Sequence, residues 1–260
     1  MTPTATDHFD RERLAESGSV ANIEYYEVTP STQDRALELA RAGHLPALPL
    51  LVVAEEQTAG RGRGSNRWWT GRGNVAFSLV FDPADWALSR QPLPERSLAV
   101  GVAIVDTIRP LLGNHRVGLH WPNDVFIDGK KVAGILIDVL PGGHHVVGIG
   151  LNVNNTLEDA PPEVRTRATS LCELSGRTYD RTSLLLDLLR HLEVAVRDSA
   201  RAPETFGQRF LELCLQLGQE LTIEVGSQRT TGRCAGIAPD GALLLETAAG
   251  WRRFYSGVLR

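Results

Sequence analysis

The chain has 260 residues, 42% hydrophobic and 22% charged, with a formal net charge of −4. This describes an ordinary globule with a substantial core, and it excludes a broadly basic surface for nucleic acid or for an anionic membrane. Three cysteines without CxxC or zinc spacing, no apolar h-region at the start and no stretch of membrane-spanning length lead us to expect a cytoplasmic protein with free thiols.

Residues 1–20 are polar and are expected as a flexible N-terminal arm, with at most one short helix around 9–14. The core-like pattern begins near Ile23, which leaves no room for a DNA-binding helix-turn-helix module ahead of it. Ala36, Leu37, Leu39 and Ala40 have helical spacing, with Ser31 or Thr32 as cap and Gly43 near the end. A buried strand at 50–54, a polar loop at 57–73 and a strand at 74–81 follow. A helix over 97–112 stops at Gly113, and a strand at 117–121 stops at Pro122. Segments 125–127 and 132–139 form a hairpin through Asp128-Gly129, and 145–153 pairs antiparallel to it. Helices are expected at 163–174, 181–196 and 202–217, the middle one with a Leu184, Leu185, Leu188, Leu189, Leu192 stripe. Short strands at 221–225, 230–237, 242–246 and 251–258 then read as a small closed β-barrel. The organisation expected is an arm over 1–20, a main domain over 21–217 and a small β domain over 218–260.

Basic residues are distributed unevenly. Of the 27, only Lys130 and Lys131 are lysines; the other 25 are arginines. Residues 57–81 hold Arg61, Arg63, Arg67 and Arg72 and no acid, with glycines at 60, 62, 64, 71 and 73. Alternating Gly and Arg brings backbone N–H groups and guanidinium forks toward one anion, and Trp68 or Trp69 offers a ring cover. The run is neither a Walker A loop nor a dinucleotide fingerprint. A solvent-facing loop and an RG-type RNA-binding element are the other readings of this segment alone.

Three further groups stand out. In His120-Trp121-Pro122-Asn123-Asp124, the carboxylate beside an anionic nucleotide would suit Mg²⁺, although Pro-Asn-Asp is also plain turn chemistry. Lys131 supplies a compact point charge in a lysine-poor chain, followed by the small Ala133 and Gly134. Gly148 and Gly150 clear one strand face, on which Asn152 and Asn154 continue.

Together these pieces resemble the biotin protein ligase (biotin–[acetyl-CoA-carboxylase] ligase) family. The pieces are Ser31-Thr32, EQTAGRGR at 56–63, Trp68, WPND at 121–124, KVAGIL at 131–136 and GIGLNVN at 148–154. Their order runs over roughly residues 22–200, and the trailing β segment fits the family's C-terminal domain. The resemblance implies an α+β catalytic domain of the class II aminoacyl-tRNA-synthetase-like, biotin/lipoate ligase kind, with a mixed, mainly antiparallel sheet, flanking helices and an SH3-like C-terminal barrel. It implies that biotin and ATP give biotinyl-5′-AMP and diphosphate, with Mg²⁺. Biotin then passes to one lysine of the biotin carboxyl carrier domain of acyl-CoA carboxylase.

Carried over residue by residue, the resemblance makes Lys131, Arg63 and Arg61 the catalytic residues. Ser31, Thr32, Gln33, Gln57, Gly60, Arg61, Gly62, Arg63, Lys131, Gly134, Leu136 and Gly148 bind biotin. Arg63, Arg67, Trp68, Asn123 and Asn152 bind ATP and the adenylate, and Asp124 holds the metal. An Arg/Gly loop ordered over the mixed anhydride would shield it from water. The sequence departs from the family pattern at three places: Gln33 replaces Asn, Ser65-Asn66 replaces Gly-Arg, and His120 replaces Lys. Arg63 and Lys131 remain, so an active ligase without DNA binding is expected, as a monomer or weak homodimer. Lipoate or octanoate ligation or transfer is the neighbouring alternative.

Overall fold

The computed structural model describes residues 8–41 and 45–260; the expected flexibility of residues 1–7 and the helix end at Gly43 lie outside it. In chain order the elements are α1 (Arg11–Glu16), β1 (Asn22–Thr29), α2 (Thr32–Arg41), β2 (Leu50–Gln57), β3 (Val75–Phe81) and α3 (Glu95–Ile108). Next come β4 (Val117–His120), β5 (Asp124–Ile127), β6 (Lys130–Val139), β7 (His145–Leu151), α4 (Pro162–Arg165), α5 (Leu171–Ser175), α6 (Arg181–Arg201) and α7 (Pro203–Leu213). Strands β8 (Glu220–Val225), β9 (Gln228–Ile237), β10 (Leu243–Thr247), β11 (Gly250–Phe254) and β12 (Val258–Leu259) close the chain.

Seven strands form one sheet in the order β1-β2-β3-β7-β6-β5-β4. β1 and β2 run parallel across the α2 crossover, and the remaining pairs are antiparallel. The period-two alternation of side chains decides what each face meets. Leu51, Val53, Phe77, Leu79, Val147 and Ile149 join the large core under α3 and α6, whose leucine stripe is buried there. On the other face Leu50, Val52, Val80 and Val146 meet Ala36 and Leu37 of α2. Further along that face β3, β6 and β7 carry Ala76, Ser78, Gly134, Gly148 and Gly150.

Two expectations are corrected and one is refined. Residues 8–20 carry, as α1, the one short helix allowed around 9–14, and it is packed: Asp10 caps it, Phe9 and Leu14 are buried, and the Phe9 N–H donates to Glu55 at 2.8 Å. Burial of one aromatic and one leucine holds so short a helix in place. The helix expected over 163–174 breaks into α4 and α5. Between them the backbone leaves helical geometry to pair with Lys131, whose N–H donates to Arg167 O at 2.8 Å and whose carbonyl accepts from Thr169 N at 3.0 Å.

The C-terminal segment is not a closed, SH3-like barrel. It is an open five-stranded antiparallel sheet in the order β11-β10-β9-β8-β12. Closure would need β11 to hydrogen-bond β12, but β12 has two residues and spends them on β8. The sheet is fastened to the larger unit by Trp121, whose Nε1 donates to Gly241 O at 3.0 Å, and by Pro239 seated on Gly207.

Candidate active site

The floor of the site follows from register. Ala76, Gly150 and Gly134 lie side by side on β3, β7 and β6, and Ser78, Gly148 and Leu136 form the next row. A Cβ at Gly150 would overlap the Trp68 indole, and one at Gly148 would overlap Gln33 Oε1. At Gly134 it would lie 3.2 Å from both Lys131 Nζ and Trp68. These glycines therefore let side chains lie flat on the sheet. Above them opens a cavity of about 480 Å³.

One end of the cavity is polar. Ser31, Thr32, Gln33 and Ser78 are buried. Gln57 Oε1 accepts from the Thr32 N–H at 2.8 Å and from its hydroxyl at 3.2 Å, while Gln57 Nε2 donates to Thr70 at 3.2 Å. Ser78 Oγ donates to Gln33 Oε1 at 2.9 Å and lies 3.0 Å from Thr32 Oγ1.

The arginine-glycine run folds into a tight hairpin. Gly62 N donates to Asn66 O at 2.8 Å, Asn66 N to Arg63 O at 3.2 Å and Trp68 N to Gly60 O at 2.9 Å. Gly64 turns at its tip with φ +65. Gly60 stands outside the cavity lining; its lack of a side chain admits Trp68 O, which a Cβ would meet at 2.5 Å. Arg61 reaches Asp34 at 3.0 Å and Asp138 at 3.5 Å, Arg63 donates to the carbonyl of Gly257, and Arg72 faces Glu56 at 3.8 Å. Trp68 lies over the glycine row, its Nε1 buried against Gly150 without a hydrogen-bond partner.

The opposite end carries the charge. Lys131 Nζ is 2.7 Å from Asp124 and 5.6 Å from the Trp68 ring centroid. His120 stacks on Phe126 with centroids 4.2 Å apart, and burial pushes its imidazole below the ordinary value, against the pull of Asp124. Asn123 and Asn152 line the cavity, but their amides hold backbone: Asn123 Nδ2 donates to Ile135 O at 2.8 Å and Asn152 Nδ2 to Thr169 O at 3.1 Å. Asn154 faces away, its Nδ2 donating to Tyr179 O at 2.8 Å. Among the described residues no three His, Cys, Asp or Glu side chains gather as a metal cluster.

Apart from Gly60, every residue that the resemblance assigns to the site lines this cavity, whereas Arg72 and Asn154 do not. Sequence reasoning missed Ser78, Arg167 and the stretch Gly257, Val258 and Leu259, which also line it. Ser78 was detectable as the one polar residue in the apolar run VAFSLVF. Arg167 and the C-terminal residues are brought in by tertiary packing and carry no local signal.

The model of the biotin/lipoate A/B protein ligase family matches residues 25–154, and that of the biotin protein ligase C-terminal domain matches residues 217–258. The chain is 36% identical over 242 residues to the bifunctional ligase/repressor BirA of Bacillus subtilis, covering 89% of this chain and 71% of that one. It is 32% identical over 251 residues to a biotin–[acetyl-CoA-carboxylase] ligase of Mycobacterium tuberculosis, covering 95% and 91%. In structure it is similar to the biotin protein ligase from Aquifex aeolicus in complex with biotin and ATP. That match has a TM-score of 0.80 and 29% identity, covering 92% of this chain and 99% of that one.

Proposed function

The chain belongs to the biotin/lipoate A/B protein ligase family, and from that premise we infer that it is an ATP-dependent biotin protein ligase. It joins biotin and ATP as biotinyl-5′-AMP with release of diphosphate, and it transfers the biotinyl group to the biotin carboxyl carrier domain of an acyl-CoA carboxylase. The observation that carries the reading is this cavity. It has a hydrogen-bonding end at Thr32, Gln57 and Ser78, a glycine floor, Lys131 beside Asp124 at the opposite end, and Arg61, Arg63 and Arg67 on the hairpin that walls it.

In this reading the ureido and thiophane rings of biotin lie against Ser31, Thr32, Gln33 and Gln57, and the valerate chain runs past Gly148, Leu136 and Gly134. The carboxylate comes to Lys131, with the ATP phosphates facing Arg61, Arg63 and Arg67 and the purine side meeting Trp68, Asn123 and Asn152. A carboxylate oxygen attacks the α-phosphorus and diphosphate leaves with the broken P–O bond. The cations offset the repulsion between two anions, and the hairpin screens the mixed anhydride from water. The carrier lysine then attacks as a neutral amine, and AMP leaves. Asp124 is the residue that would hold Mg²⁺, an ion that needs few protein carboxylates beside phosphate and water, and its charge would offset that of the phosphates there.

We take residues 21–217 as the catalytic unit and residues 218–260 as its accessory sheet. Among the described residues no helix is long and apolar enough to cross a membrane. We place the protein in the cytoplasm, a reading supported by three thiols that form no disulfide.

Diphosphate release from Mg·ATP tests the reading. Biotin should support it, whereas lipoate and octanoate should not. Release with either of those acids and none with biotin would overturn the substrate.

A further inference from the structure

The hydrogen bonds at the polar end have a direction, and a carboxylate outside the cavity helps to set it. Gln33 Nε2 lies 3.0 Å from Asp138 Oδ2 and 3.1 Å from the carbonyl of Val146, both of them acceptors only. The amide can therefore sit in one orientation, with Oε1 turned to Ser78 at 2.9 Å. An amide oxygen cannot donate, so the Ser78 proton is committed to it. Thr32 Oγ1 must then donate, either to Ser78 Oγ at 3.0 Å or to Gln57 Oε1 at 3.2 Å. Both hydroxyl protons are thus spent inside the protein, and the hydroxyls offer only lone pairs to the cavity. Gln57 is fixed the other way: its Oε1 takes the Thr32 N–H at 2.8 Å, so its Nε2 carries one hydrogen beyond that given to Thr70.

We propose that Gln33, oriented by Asp138 and the Val146 carbonyl, is a positioning residue that turns Thr32 and Ser78 into acceptors and so selects a ligand presenting N–H donors. This rests on the biotin reading, since a ureido ring offers two N–H donors beside one carbonyl acceptor, the complement of this wall. Without the Gln33 amide, Ser78 can swing its proton into the cavity. A donor then faces a donor, the kind of polar mismatch that costs most in a buried site.

Steady-state kinetics of Gln33→Met and Asp138→Leu, each against wild type, test this. Gln33→Met keeps the length of the side chain and removes its hydrogen bonds; the KM for biotin should rise roughly 10-fold or more with kcat and the KM for ATP unchanged. Asp138→Leu should show the same signature more weakly, and Asp138→Asn, which still presents an oxygen, should restore the wild-type KM. Asp138 also lies 3.5 Å from Arg61, so a double-mutant cycle separates the two routes. If the effect runs through Gln33, adding Asp138→Leu to Gln33→Met changes nothing further. Full additivity, an unchanged KM for biotin in Gln33→Met, or a loss of kcat instead would overturn the proposal. Wild type that turns over biotin while both variants keep its KM sinks only this inference; wild type that ignores biotin sinks the function itself.

Discussion

Lys131 Nζ lies 2.7 Å from the Asp124 carboxylate, so the two most telling charges of the cavity are held against each other. An arriving carboxylate has to share that ammonium with Asp124, and the sharing is easier when a cation occupies Asp124. Lys131→Ala leaves Asp124 as an unbalanced anion where two more anions must meet. Diphosphate release with biotin should fall by roughly 10²-fold or more, the usual cost of removing one group that stabilises developing charge. A rate within a factor of two of wild type would show that Lys131 is a structural partner of Asp124 and nothing else. The sequence marked Lys131 by its rarity in a chain with 25 arginines and one lysine pair, by the small Ala133 and Gly134 after it, and by the KVAGIL piece of the resemblance. Its contact with Asp124 came from the β5–β6 hairpin, which sets Asp124 beside Gly134 three residues after the lysine. Arg61 and Arg63 were equally legible as charges, but their contacts with Asp34 and Gly257 depend on folding across 27 and 194 residues of separation.

At the scale of elements, the glycine row on β6 and β7 matters because a flat indole rests on it. Gly150→Ala keeps a residue that a strand tolerates, yet the new Cβ overlaps Trp68. The expected result is a displaced ring, a shifted tryptophan emission and a KM for ATP raised roughly 10-fold, with the thermal midpoint little changed. Unaltered emission and KM would mean that Trp68 is not part of the ligand wall. Alternating Gly148 and Gly150 were visible as a cleared strand face, because strand period is fixed by backbone geometry. The helix expected over 163–174 was not readable in the same way. Its apolar residues fit a helical period, but the backbone of Lys131 outcompetes the helix for the hydrogen bonds of Arg167 and Thr169. The barrel failed for a related reason. Four strand-like runs fix four strands, whereas closure depends on how two ends meet, and the two residues of β12 are too few to join β11.

The seven-stranded sheet has a deep core on one face and the ligand slot on the other, and the stability of the molecule has its own pH signature. His145 is fully buried on β7 beside Arg96, whose Nη1 lies 2.9 Å from the imidazole Nδ1. Burial, then the Arg96 charge, holds its pKa down at about 4. The unfolded chain takes up a proton below about pH 6.5 and the folded chain only near 4, so this residue removes stability as pH falls between those values. Above that window its contribution is flat. Thermal midpoints at pH 7 and pH 5 should therefore differ less for His145→Gln, whose oxygen can still accept from Arg96, than for wild type. Equal losses in both would contradict a neutral buried His145. None of this was legible in the sequence, where His145 was only the first residue of a strand.

The central claim is that the cavity makes an activated biotin and hands it to a carrier protein. The direct measurement is mass spectrometry of a purified biotin carboxyl carrier domain incubated with this protein, biotin and Mg·ATP. The account predicts a carrier heavier by one biotinyl group, on a single lysine, and only when ATP is present. A carrier left unmodified under those conditions, or modified equally without ATP, would contradict it.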